Sequence, residues 1–285
     1  MLYTPVNDFG WYLDNLGATL GYGGSGTQLT SHTVTANAKG TAVQVWAGSS
    51  ITEDVYSVSV NICNPTVTGL RFFVDLLIDP AGGTSWTTLI SNLAANTPNG
   101  NWSGGCFYLF PIYIKAGTSI GFQCSCSTAN STIRVNVHLQ GKPSRPDLVN
   151  VGSSVQTLGA SLATTEGAAW TPGTQTMGSY TASLGTLTKN SWWWQCGILI
   201  NDATQTQLVL GANVEAGDAS NKLKCGDAFL HWEPGTAEVA GKASIPQSGL
   251  PIRNIPSGSN VYVRGWCSAG TGPDSLNSVV VYALG

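Results

Sequence analysis

Of 285 residues, 42% are hydrophobic and only 9% are charged, with a net charge of −3 and a pI near 5.5; an average soluble domain carries about 25% charged residues. No Lys/Arg run supplies the basic footprint that nucleic-acid binding needs. No stretch of about 18 apolar residues is present to span a membrane, and the first residues lack the basic start and apolar run of a secretory signal. The length fits two domains of roughly 140 residues, each able to bury a core.

In chain order, residues 1–15 read as an arm. Phe9, Trp11, Tyr12 and Leu13 are apolar but follow no helical or strand period, so the arm is expected to dock on its own domain or on a neighbour. Gly21–Gly26 reads as a connector, because it lacks the Lys-Ser/Thr that follows a phosphate loop. Thr27–Ala36 alternates in part, with His32, Val34 and Ala36 on one side. Ala42–Ala47 and Ile51–Ile62 continue the pattern, with Tyr56, Val58, Val60 and Ile62 on one face, and Asn64-Pro65 ends it. The dense apolar run Leu70–Ile78 predicts a central strand. Asp79-Pro80-Ala81-Gly82-Gly83 is turn chemistry, with Asp79 as the cap. Trp86–Leu93 reads as a short strand or one helical turn, and Asn96–Gly105 as a polar loop. Cys106–Ile114, Ile120–Cys126 and Thr132–Leu139 complete a first domain over residues 16–142. Two prolines stiffen the linker, residues 143–147. The second domain, residues 148–285, is expected to hold strands at Tyr180–Leu187, Ser191–Ile200, Gln207–Val214, Ala228–His231, Gly249–Ile255, Asn260–Cys267 and Asn277–Leu284.

The two halves echo each other. Ile114, Gly117, Ile120 and Cys126 match Ile255, Gly258, Val261 and Cys267 at an offset of 141. Leu16–Leu20 matches Leu158–Leu162 at an offset of 142, and Phe73–Gly82 more loosely matches Leu208–Gly217 at 135. A repeat this long signals a duplicated domain rather than a solenoid, whose units run roughly 20–50 residues. Many short strands with turn signals at intervals of roughly 8–12 residues predict an all-β fold of two tandem β-sandwiches.

Candidate chemistry is sparse. His32, His138 and His231 form no ligand motif such as H-E-x-x-H, and there is no G-x-S-x-G elbow. Glu53 and Asp54 are adjacent, so on a strand they point to opposite faces. Asp75 and Asp79 would share a side about 13 Å apart, beyond the spacing of either glycosidase geometry. Catalytic, cofactor-binding and metal sites are each expected to be none. The seven cysteines, at 63, 106, 124, 126, 196, 225 and 267, lack zinc spacing and read as reduced, buried thiols, with bridges between some of them in an oxidising medium as the alternative. Trp192-Trp193-Trp194 is the one conspicuous cluster. On a strand Trp192 and Trp194 share a face and Trp193 takes the other. One face is expected to be core. The other, with Phe9, Trp11 and Tyr12 of the arm, is a candidate subunit interface or glycan-stacking platform.

Gly40-Thr41-Ala42, LLIDPAGG at Leu76–Gly83, YLFPIYIKAGTSIGFQCSC at Tyr108–Cys126 and GKPSRPDLV at Gly141–Val149 together resemble proteins encoded in tailed-bacteriophage structural modules. The resemblance covers residues 16–160. The second half departs from it, with Leu210 in place of Asp75 and a Gly-Pro-Asp insertion near Pro273. It favours jelly rolls among sandwich types and implies a non-enzymatic virion protein, assembled in the host bacterial cytoplasm. The expected role is capsid decoration or cement, or alternatively a neck, collar or tail component. Its partners would be the major capsid protein or other virion proteins and further copies of itself, as a homo-oligomer with a trimer favoured. No cofactor, nucleic acid or membrane is expected. A carbohydrate-binding module for host-surface adhesion, with a glycan as partner, is the alternative from another class.

Overall fold

The structure, a computed structural model, describes residues 12–14, 26–63, 70–96, 106–141, 151–199, 208–232, 245–247, 254–268 and 277–285. Among these residues, nine strands precede residue 142: β1 (Tyr12–Asp14), β2 (Thr27–Thr30), β3 (Val43–Trp46), β4 (Ser57–Cys63), β5 (Arg71–Asp79), β6 (Thr87–Asn96), β7 (Cys106–Phe110), β8 (Ser119–Cys126) and β9 (Thr132–Gln140). Ten follow: β10 (Val155–Leu158), β11 (Ala168–Trp170), β12 (Gly173–Thr174), β13 (Gly185–Thr186), β14 (Trp193–Leu199), β15 (Leu208–Gly217), β16 (Lys222–Trp232), β17 (Ile245–Gln247), β18 (Asn260–Cys267) and β19 (Asn277–Leu284).

In the first half the order β2-β9-β4-β7 faces β3-β8-β5-β6, and β1 extends the outer edge of β9 beyond β2. Counted from β2, that is the strand order of a jelly roll. The second half repeats it: β10 and β11 pair β19, which pairs β14, while β12 and β13 pair β18, followed by β15 and β16. One strand breaks the correspondence. In the first half β7 pairs β4, whereas β17 pairs β16, and among the described residues no strand takes the corresponding place beside β14. The fold is thus all-β, in two jelly-roll-like sandwiches.

Period-2 patterning sets the cores. In β18, Val261, Val263 and Cys267 point inward, while Tyr262, Arg264 and Trp266 are half-buried. β5 is buried on both faces and lies between β8 and β6, as its unbroken apolar run predicts. The turns that feed the paired edges also correspond. Gly117 and Gly258 hold φ of 82° and 87°, a region that costs an L side chain but not glycine. Gly117 donates to Ile51 O and Gly258 to Leu187 O, each at 2.8 Å. Val55 bridges Ile114 as Ser191 bridges Ile255. Ile51 and Leu187 lie 136 residues apart, as do Val55 and Ser191.

Several expected strands have other limits. The second strand stops at Thr30, because the His32 ring nitrogen accepts from the Val34 and Thr35 amides and turns the chain. Ile51 and Val55 are buried anchors ahead of β4, not part of it: Ile51 follows the 3-10 turn at Gly48–Ser50, Val55 makes an isolated bridge to Ile114, and the ladder begins at Ser57. Trp86–Leu93 resolves to the ten-residue β6. Cys106–Ile114 is a strand only to Phe110. Of Tyr180–Leu187 only Gly185–Thr186 forms a ladder; Thr181 and Leu184 donate single bonds to Val263 and Val261, three residues apart where a ladder needs two. Ala228–His231 is the end of an eleven-residue strand. Gly249–Ile255 lies mostly outside the described residues, and Ile245–Gln247 pairs there instead. The linker at 143–147 also lies outside them.

Candidate functional site: the junction between the sandwiches

The two sandwiches are joined through a shared layer. β19 reads VVVYAL at Val279–Leu284, apolar at every position rather than at alternate ones, and every one of those residues is buried. Val279, Val281 and Ala283 point into the second core with Trp194, Cys196 and Ile198 of β14. Val280, Tyr282 and Leu284, with Leu199, enter the first core. A sheet covered on both faces leaves this continuous apolar signature.

Tyr282 is the centre of the junction. Its ring stands edge-on to Tyr108 and Phe110, with centroids at 5.3 and 6.2 Å. Its hydroxyl donates to Asn92 O at 2.7 Å and accepts from Ala94 N at 2.8 Å, while the Tyr108 hydroxyl donates to Ala94 O at 2.6 Å. Burial raises both phenols well above the ordinary tyrosine range. Gly197 lies against this group: a Cβ there would sit 2.8 Å from both the Ala94 Cβ and the Tyr108 hydroxyl. A polar rim surrounds the apolar centre, as at protein interfaces generally. Thr157 donates to Ser91 O, Thr165 donates to the Asn37 side chain, and Arg71 pairs with Glu166 at 2.9 Å.

The tryptophans serve this junction. The Trp193 indole N–H donates to Leu109 O at 2.9 Å, and the Gln195 side-chain oxygen accepts from Leu109 N at 3.2 Å. Two side chains of β14 thus satisfy both backbone groups of one residue on the edge of β7 away from β4, which would otherwise be open for pairing. Trp192 does not share a face with Trp194. β14 begins only at Trp193, so strand alternation does not govern Trp192, which packs edge-on to Trp193 at 6.3 Å and against the first core. Trp194 faces the second core. Of the arm residues, Tyr12 opens β1 opposite Gln140, and Phe9 and Trp11 lie outside the described residues.

Asp75 reaches the same junction from the other side. Its side chain is 5% exposed and pairs with Lys39 at 2.8 Å. It also accepts from Gln123 Nε2 and from the Asn92 backbone N–H. The last bond has a structural origin. β6 carries an extra residue at Ser91–Asn92 relative to β5, and Asn92 adopts φ 57°. A bulge of this kind frees a backbone amide from the ladder, and the carboxylate takes it. Asn92 then presents its carbonyl to Tyr282. Lys39, Asp75, Asn92 and Tyr282 form one chain of contacts. Burial holds the Lys39 ammonium below the usual lysine range even though Asp75 pulls it up.

The other acids are accounted for locally. Asp79 accepts from Ala81 N and Ser85 N, the turn cap its sequence predicts. Asp54 accepts from Ala116 N. Among the described residues no group of three or more His, Cys, Asp or Glu is placed to hold a metal ion. No described helix is long and apolar enough to cross a membrane. All seven cysteines are free thiols, six of them buried and Cys63 half-buried. Burial pushes Cys124, Cys196 and Cys225 up to about 12, against about 8.5 in an unfolded chain. These groups hold their protons more tightly when folded, so their stabilisation is complete below about pH 8.5 and is lost as pH rises toward 12. A thiol reagent at pH 8 is expected to modify Cys63 first and the other six only with denaturant. Fast release of several equivalents from native protein would contradict this burial.

No family model matches the chain, and no curated protein matches it. Among solved structures, the STIV MCP aligns over 91% of this chain and 96% of its own length, at TM-score 0.36 and 9% identity. PNGF-II aligns over 96% of this chain, which spans 65% of its length, at TM-score 0.34 and 10% identity. The N-terminal CBM22-1-CBM22-2 tandem domain from Paenibacillus barcinonensis Xyn10C aligns over 98% of this chain and 93% of its own, at TM-score 0.29 and 12% identity. Likenesses this distant carry no conclusion about what the chain does.

Proposed function

We propose that this chain is a non-enzymatic virion structural protein of a tailed phage, acting as a capsid decoration or cement protein and working by adhesion as a homo-oligomer. The observation that carries the reading is the shared layer at β14 and β19, which fuses two jelly-roll-like sandwiches into one block with a single continuous apolar junction. A rigid block with few charges suits a protein whose task is to stay in contact with neighbours. Apolar area contributes about 25 cal/mol per Å², and many copies on one shell multiply a small increment. The two halves are copies of one ancestral sandwich. Their common strand order and the paired bonds at Gly117 and Gly258 support that origin, and the β17 pairing marks where they diverged. A trimer of such blocks would offer six similar sandwiches to a site of local three-fold or six-fold symmetry. A neck, collar or tail position in the same virion rests on the same physics.

The test is to add the purified protein to virions lacking it. A regular surface layer by electron microscopy and survival of a hotter challenge are the expected results. Capsids that stay bare and no more heat-stable would overturn the cement role. The carbohydrate reading loses Trp193 as its platform, since that ring packs on Trp192 and its N–H is bonded. It moves to the outer face of the second sandwich. There Tyr180 is 37% exposed, its ring centroid lies 6.1 Å from that of Tyr262, and its hydroxyl donates to Glu215. A glycan-array signal that Tyr262→Ala abolishes would favour this rival, and a blank array favours the virion role.

A further inference from the structure

We infer that the arm strand β1 is exchangeable between copies, so that the outer edge of β9 at His138–Gln140 accepts Tyr12–Asp14 from a second molecule of this chain.

The inference begins with how the edge of β9 is divided. β4 covers its inner side from Ser57 to Cys63. On the outer side β2 reaches only from Thr132 to Val135. β1 supplies three further pairs, Tyr12 with Gln140, Leu13 with Leu139 and Asp14 with His138. Left open, those three positions would present unpaired backbone groups at a sheet edge. The fold therefore needs the slot filled, but the pairing is backbone-to-backbone and does not depend on which copy fills it.

The connection is far longer than pairing within one chain requires. Asp14 sits opposite His138 and Thr27 opposite Val135, three positions apart along β9, or roughly 10 Å at the strand rise. Two or three residues would bridge that gap. The chain supplies twelve, residues 15–26, five of them glycine, and twelve residues reach up to about 40 Å. Where the connection meets β2, Gly26 is tightly held. A Cβ at Gly26 would lie 2.1 Å from Asn136 Oδ1 and 2.6 Å from Val135 O, and Gly26 O accepts from Arg134. Gly26 and β2 therefore stay in place in an exchange.

The energetics agree. A swapped arm makes the same three pairs as an unswapped one, so the exchange is limited by concentration and not by contacts. A short tether presents its own arm at an effective concentration in the millimolar range. Dilute molecules keep their own arms. Copies packed side by side in an assembly reach the concentration at which exchange competes. The inference uses the proposed homo-oligomer only as its setting, and its test needs no virion, so its failure would leave the capsid role standing.

The experiment uses Asp14→Cys and His138→Cys in the full chain, with the wild type and its seven native cysteines as control. Directly opposed antiparallel residues lie about 4.5–5.5 Å apart at Cα, within disulfide reach. The double variant should close within one chain under oxidising conditions at low concentration. The two single variants, carrying different tags and mixed, can join only if an arm crosses to another copy. A covalent heterodimer is expected, increasing about tenfold as the total concentration rises from about 0.1 to 1 mM. If the double variant closes while the mixture yields no heterodimer at any concentration, the arm belongs to its own chain and the inference fails. It also fails if the double variant does not close, because the register on which it rests would then be wrong.

Discussion

Asp75→Leu is expected to lower the unfolding free energy by about 3–5 kcal/mol, because it leaves the largely buried Lys39 ammonium without a counter-charge. The side chains of Lys39 and Asp75 are 20% and 5% exposed and 2.8 Å apart. The same change strips the acceptor from the Asn92 amide at the bulge. Adding Lys39→Met removes the stranded charge, so the double variant should recover a large part of the loss. Asp75→Asn should fall between, since its oxygen still accepts from Asn92 but carries no charge. The pH dependence separates this from simple loss of packing. Lys39 already has a folded pKa below its ordinary value, with burial as the main cause. The unfolded chain therefore binds the extra proton over that window, and stability rises with pH through it. Without Asp75 the window extends further down, so Asp75→Leu should recover more stability than wild type as pH climbs toward about 10.4. Urea titrations at several pH values measure this. Equal slopes for the two proteins would remove Lys39 from the account.

Tyr282→Ala should cost about 3–5 kcal/mol, the range for truncating a buried aromatic, and should change how the protein unfolds. The ring fills the junction, and its hydroxyl is bonded to Asn92 and Ala94. With it gone, the first sandwich loses the centre of its seal against β19. A calorimetric scan should then pass from one transition toward two, as the halves cease to unfold together. Tyr282→Phe keeps the ring but leaves the Ala94 N–H unsatisfied, at about 1–3 kcal/mol, and should keep a single transition. A Tyr282→Ala protein that melts as one unit at the wild-type midpoint would mean that the junction does not couple the sandwiches.

Much of this architecture is legible from pattern. Leu70–Ile78 announces a central strand by its unbroken apolar run, and Asn260–Cys267 and Asn277–Leu284 are read with the observed limits. Gly117 and Gly258 mark equivalent turns because glycine takes that backbone conformation without the steric cost of a Cβ. The junction was less visible. Its signal lay in the contrast between TIRVNVHLQ at Thr132–Gln140, which alternates, and VVVYAL at Val279–Leu284, which does not. Only a strand covered on both sides needs the second pattern. The tryptophan triplet is conspicuous in the sequence, but periodicity does not say which layer covers a ring. Strand alternation also fails at a residue just outside the ladder, as at Trp192. Asp75 inside FFVDLLI reads from sequence as a possible acid. Its actual task depends on a bulge seventeen residues away in sequence, and a bulge leaves no trace in composition. Short pairings such as Gly173–Thr174 and Gly185–Thr186 are too brief to carry any period.

The bonds from Tyr282 to Ala94 and Asn92 span 188 and 190 residues of chain. At translation speeds of about 5–20 residues per second, roughly 10–40 s separate the synthesis of β6 from that of the strand that closes over it. Through that interval a nascent first sandwich carries a bare apolar flank along β6, while the Leu109 amide and carbonyl of β7 wait 86 and 84 residues for Gln195 and Trp193. On a polysome, where neighbouring nascent chains expose the same flank, the window favours pairing with the wrong molecule. Slower elongation would lengthen it, and a chaperone that shields this flank would raise the yield of soluble protein.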